Sequence, residues 1–167
     1  IGVFANLPEH GFTQVNAYGA GNDAFYFDNF TVRERTAPHG LSVDLPRLPK
    51  DLRSVMGFHL AGGPMLANRP YALVGSLSGP SPGTPVGSVV MPLNFDRFSG
   101  FVASAWSSGA LPGFLATFNS DGNASAAWDT TIPVPASLVG LNMDFAYVTL
   151  NPYDAASEPV RVSITNQ

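Results

Sequence analysis

The chain has 167 residues, 45% hydrophobic and 12% charged, with net charge −4, 17 glycines, 15 prolines and no cysteine. It is long enough for one well-buried core, too aromatic and too sparsely charged for a disordered chain, and has no thiols for a disulfide framework. Its eight Lys and Arg are scattered, so no basic stripe meets nucleic acid, and no run approaches the ~20 apolar residues of a membrane helix.

The opening, IGVFANLPEHGF, has no basic n-region, no small-residue cleavage site and no initiator Met, so a processed part of a longer precursor is expected. From there, short β-rich runs alternate with turn residues at roughly 8–12-residue spacing, the pattern of an all-β fold. Strands are expected over 2–5, 12–18, 24–33, 41–45, 55–60, 70–77, 87–93, 100–106, 113–118, 124–129, 143–150 and 159–165. Residues 48–58, LPKDLRSVMGF, read equally as a short helix or as the approach to the fifth strand. PYALVGSL sets Tyr71, Leu73, Gly75 and Leu77 on one face, and MDFAYVTL sets Met143, Phe145, Tyr147 and Thr149 on one face. Both are expected to be central strands with an interior aromatic face.

RERTAPHG, residues 33–40, has the charge cluster, proline and glycine of a linker. It divides the chain into a β segment, 1–37, and a main domain, 38–167. The segment is too short for its own core, so it packs on the main domain or completes another subunit's sheet. SGPSPGTPVG, residues 78–87, holds three prolines, which suit a surface loop and exclude a central strand.

FNSDGNASAAW, residues 118–128, raises a chemical question. Asn119, Asp121 and Asn123 alternate around Gly122 as in a small calcium loop, yet Asp-Gly between two β-like runs is a hairpin signal. The bidentate glutamate of an EF-type loop is missing, so the turn reading is preferred. Asp121 and Asn123 are the residues a structural calcium would use here. No Gly-x-Ser-x-Gly elbow is present, His59 lies in an apolar run and is expected in the core, and His10 and His39 sit in turns. The histidines lack zinc-ligand spacing, and Asp51, Asp121, Asp154 and Glu158 fall in turns, so no enzyme is expected. Trp106, Trp128 and Tyr71 are the aromatic side chains a sugar-binding platform would use. The sequons at Asn29 and Asn123 are taken as coincidental.

From Phe58 onward, FHLAGGPMLANRPYALVGSLSGPSPGTPVG, MPLNFDRF, FNSDGNASAAW, IPVPASLVGLNMDFAYVTL and VSITN occur in a recurring order. This order resembles the C-terminal β domain of large exported proteins of planctomycete- and myxobacterium-type bacteria, over about residues 41–166. The resemblance implies export and an accessory, adhesive or structural role, and carries over no catalytic residue. DAFYFDNFTV, within residues 23–32, resembles the closing strand of jelly-roll carbohydrate-binding modules, in which Asp28 matches an aspartate of a structural calcium site.

The fold expected is therefore an antiparallel β-sandwich, Greek-key or jelly-roll in type, with an N-terminal β segment. The function expected is a non-catalytic, extracellular or cell-surface structural or adhesion module. Its partners would be copies of itself or other surface proteins, met by strand addition. A carbohydrate-binding module with a polysaccharide partner, and an accessory fragment of a larger secreted hydrolase, are the alternatives. No cofactor beyond the calcium just described is expected.

Overall fold

The structure, a computed structural model, describes residues 39–51, 55–106, 111–129 and 136–166. All lie in the unit Arg35–Gln167. The expectations for residues 1–37, including Asp28 and the strand at 24–33, lie outside the described residues.

The fold is all-β. Ten strands run in the order β1 (Gly40–Val43), β2 (Arg47–Pro49), β3 (Val55–Ala61), β4 (Pro70–Ser76), β5 (Thr84–Val86), β6 (Val89–Met91), β7 (Leu115–Thr117), β8 (Asn123–Asp129), β9 (Asn142–Thr149) and β10 (Val160–Thr165), with one helix, α1 (Arg97–Trp106), among the described residues. They form a three-stranded sheet, β1-β3-β8, a five-stranded sheet, β2-β10-β9-β4-β7, and the hairpin β5-β6. Every named strand pairing is antiparallel except β10 with β2.

The larger sheets share one core. In β3, VMGFHLA, period-two alternation turns Met56, Phe58 and Leu60 inward and Val55, His59 and Ala61 outward. His59 is therefore exposed, correcting the expectation of a core histidine. Phe58 meets Phe145 of β9 at 4.9 Å between ring centres and Phe114 at 5.4 Å, edge-on. Each such buried ring contributes on the order of 2–3 kcal/mol by leaving water.

β4 and β9 lie side by side in the five-stranded sheet and are buried on both faces. Tyr71, Leu73, Phe145 and Tyr147 join the main core. Val74, Ala146 and Val148 form a second cluster with Met91 and Leu93. That second layer is why both strands read as nearly continuous apolar runs.

Two local expectations are corrected, and one left open between helix and strand is decided. Residues 100–106 belong to α1, not to a strand, because Asp96 and Ser99 cap a helix there. The Ser99 N–H donates to Asp96 Oδ1 at 3.0 Å and the Asp96 N–H donates to Ser99 Oγ at 3.2 Å, a capping box with serine in glutamate's usual place. The 48–58 stretch holds strands β2 and β3 and, among its described residues, no helix. The 78–87 stretch is not all loop, because Thr84–Val86 pair with β6 in a hairpin at whose edge Pro85 is tolerated.

The chain bridges the two larger sheets along two flanks. On one, it passes from β1 to β2 across Asp44–Pro46: the Asp44 N–H bonds to Gly57 O in the first sheet, and Pro46 O accepts Ser163 N–H in the second. On the other, Leu111–Phe114 crosses: Pro112 O accepts Ala127 N–H of β8, and Phe114 O accepts Leu73 N–H of β4.

Candidate functional site

The residues expected to carry function are dispersed. Tyr71 is fully buried, its ring 4.6 Å from that of Phe118 and its hydroxyl donating to Gly113 O at 2.8 Å. Burial pushes that hydroxyl's pKa up to about 12. A buried ring cannot stack on a sugar, so Tyr71 is removed from the platform. Trp106 is half-buried on α1, where its Nε1 donates to Leu73 O at 3.2 Å. Trp128 is half-buried on β8, its ring 6.1 Å from both Phe98 and Phe145. Phe98 in turn lies 6.3 Å from Phe101, which is 59% exposed. An aromatic ladder thus runs from the core to the surface beside Trp128, and Phe101 at its outer end had no signal in the sequence reading.

The 118–123 segment is a turn, but not the turn of a hairpin. β7 and β8 belong to different sheets, so the Asp121-Gly122 corner carries the chain between layers. Asn119 organises it: its Oδ1 accepts the N–H groups of Asp121 at 2.9 Å and Asn123 at 2.8 Å. The Asn119 side-chain oxygen is thereby committed to backbone donors, and Asn119, Asp121 and Asn123 are all exposed. Among the described residues, no three His, Asp or Glu side chains cluster as a metal site.

Two polar clusters were missed by sequence reasoning. The first surrounds Asp96, whose carboxylate accepts Leu77 N–H at 2.8 Å and the hydroxyls of Ser78 at 2.9 Å and Ser76 at 3.2 Å, besides capping α1. Burial pushes its pKa up, but the hydrogen bonds from Ser99, Ser78, Leu77 and Ser76 outweigh this and hold it at about 2. Such a carboxylate is a structural anchor, because a group this firmly ionised is a poor proton donor or acceptor near neutral pH.

The second cluster lies on the outer face of the three-stranded sheet. Gly40, Ser42, His59, Ala61 and Asn123 line a shallow groove there. His59 Nε2 and Asp44 Oδ1 are 2.6 Å apart, and the Asp44 carboxylate occupies the space a Cβ on Gly57 would need. Ser42 sits directly opposite His59 across β1 and β3. The residue types of a hydrolytic triad therefore meet, but in the wrong relation. No hydrogen bond joins Ser42 to the imidazole among the described residues. The ladder bond from Asp44 N–H to Gly57 O fixes the register, so the N–H groups of Ser42 and His59 each point at the other residue's C=O within the ladder and neither serves an oxyanion.

The sheet edges differ more informatively. The β8 edge is covered by its own chain, since the Ala127 N–H meets Pro112 O, and Asn123 exchanges bonds with Asn119. β2 is blunted by Pro46, Pro49, Arg47 and Lys50. In β1, the Asp44–Gly57 bond sets the alternation that turns the backbone groups of Leu41 and Val43 outward. In β7, Phe114 O and Phe118 N–H bond to Leu73 and Arg69 of the β4 ladder. The same alternation turns the N–H and C=O of Leu115 and Thr117 away from β4.

No protein-family model, curated protein or solved structure matches this chain.

Proposed function

We propose that the chain is a non-catalytic β module of an exported precursor, placed outside the cell or at its surface, that assembles with copies of itself or attaches to other surface proteins by strand addition. The observation that carries this reading is the contrast among sheet edges. Two edges are blunted or covered by the chain itself, while β1 and β7 present uncharged strands with outward N–H and C=O groups. Natural sheets commonly protect such edges with lysine, proline or a bulge. Export rests on the motif order from Phe58 onward.

The test is the sedimentation behaviour of the intact chain beside variants that delete one outward N–H from each edge, Val43→Pro and Thr117→Pro. Loss of assembly in either variant, with circular dichroism unchanged, supports the reading. Assembly that survives both substitutions overturns it.

The ladder of Trp128, Phe98 and Phe101 favours a second reading, carbohydrate binding. A glycan array in which binding is lost on Trp128→Ala and Phe101→Ala, and kept in the edge variants, would replace strand addition with sugar recognition.

A further inference from the structure

We infer that β7 pairs with β7 of a second copy of this chain, antiparallel about a two-fold axis at Ala116; this rests on the strand-addition reading and names its partner. Three observations select β7. The stretch Leu111–Phe118 contains no charged residue, so two copies approach without like-charge repulsion. β1, by contrast, runs directly into Asp44, which is engaged with His59. Side chains at β7 alternate cleanly, with Phe114 and Phe118 buried and Leu115 and Thr117 exposed, so register is fixed on one face and open on the other. Among the described residues, no turn or loop hydrogen bond reaches the N–H of Leu115 or Thr117.

The geometry then dictates the register. The outward groups alternate at odd positions, so a two-fold at Ala116 sets Leu115 opposite Thr117 of the second copy, and Thr117 opposite its Leu115. Each facing pair exchanges two N–H to C=O bonds, the narrow pairing of an antiparallel ladder. Leu115, 49% exposed, gains apolar cover from the Thr117 methyl of the second copy. The contact is isologous and closes on itself, and it joins the two five-stranded sheets edge to edge. Because the paired stretch is short, association is weak and concentration-dependent.

The absence of native cysteine makes the test clean. Single variants Leu115→Cys and Thr117→Cys are mixed under mild oxidation, since facing residues of an antiparallel pair lie within disulfide reach. The expected result is a mixed disulfide dimer formed at least about tenfold faster than between Ser120→Cys chains, whose residue is exposed but off the edge. Thr117→Pro placed in the Leu115→Cys chain should abolish the excess. The matched pair Leu41→Cys and Val43→Cys probes β1. Crosslinking at β1 and not at β7 overturns this inference and leaves strand addition standing. No excess at either edge, with a monomer at the highest soluble concentration, overturns both.

Discussion

Replacing Asp96 by alanine removes one carboxylate that serves the α1 N-terminus, the Leu77 N–H and the hydroxyls of Ser76 and Ser78. The helix cap alone is worth ~1 kcal/mol. The remaining bonds are charge-assisted but reach partly exposed donors that water can satisfy, so they add ~1–3 kcal/mol together. Asp96→Ala should therefore destabilise the fold by about 2–4 kcal/mol at neutral pH. Part of this depends on pH. The fall of the carboxyl pKa from its ordinary 3.8 to about 2 corresponds to at most ~2.4 kcal/mol at 1.36 kcal/mol per pH unit. Solvent screening of a partly exposed group reduces that to ~1–2 kcal/mol.

The sign follows from proton binding. The folded chain holds the proton more weakly than the unfolded chain, so the contribution is complete well above pH 3.8 and is lost as pH falls towards 2. Urea unfolding of the wild type and Asp96→Ala, followed by circular dichroism at pH 7 and again near pH 2.5, measures both parts. The gap between the two proteins should shrink by roughly 1 kcal/mol on acidification, because at pH 2.5 about a third of the contribution is still present. Asp96→Asn, which keeps an oxygen for the Ser99 N–H, should fall between them at pH 7. A gap that is the same at both pH values would refute the argument, because the carboxylate would then contribute only as a neutral acceptor.

At the Asp121-Gly122 corner, Asn119→Ala should cost about 1–2 kcal/mol while Asp121→Ala stays within ~0.5 kcal/mol, because Asn119 holds the turn and Asp121 faces solvent. A melting temperature raised by calcium and returned by chelator would revive the metal reading. Tyr71→Phe should cost ~1 kcal/mol at neutral pH for the lost bond to Gly113. A raised tyrosine pKa means the folded chain keeps its proton longer, so wild-type stability falls as pH climbs from 10 towards 12, and less steeply in the variant. Alkaline unfolding curves check this. Phe58→Ala, at the meeting of three rings, should lose ~3–5 kcal/mol, read by chemical denaturation.

The sequence made the central strands legible because β3, β4 and β9 carry their own period. Met56, Phe58 and Leu60 alternate, and the same rule, applied strictly, places His59 outside. The general apolarity of its neighbours obscured that. α1 was hidden for a different reason. FSGFVASAW has glycine, β-branched and aromatic residues that weaken helix propensity, and its one firm signal is the Asp96–Ser99 cap ahead of Phe98, Val102 and Ala105 at helical spacing. The Asp-Gly corner shows the limit of local reading. The turn was legible, but β7 joins β4 and β8 joins β3, a choice made by contacts with Tyr71 and Phe58 far along the chain. Edges are harder still, since which strand lies outermost is a property of the whole sheet.

Composition and edge chemistry are nonetheless linked. With so few charges available, the described fold uses several of them in pairs. Arg161 grips the buried Asp144 through Nε at 2.8 Å and Nη2 at 3.1 Å. Arg69 meets Asp154 at 2.6 Å, which lowers that carboxyl's pKa chiefly through the hydrogen bond. His59 takes Asp44. Charges engaged within the fold cannot also stand guard on a strand edge, and β7 has none over Leu111–Phe118. For a monomer that would be a hazard, since an unguarded edge recruits whatever strand it meets. For a module whose work is to meet another strand, the same sparse charge leaves the edge open.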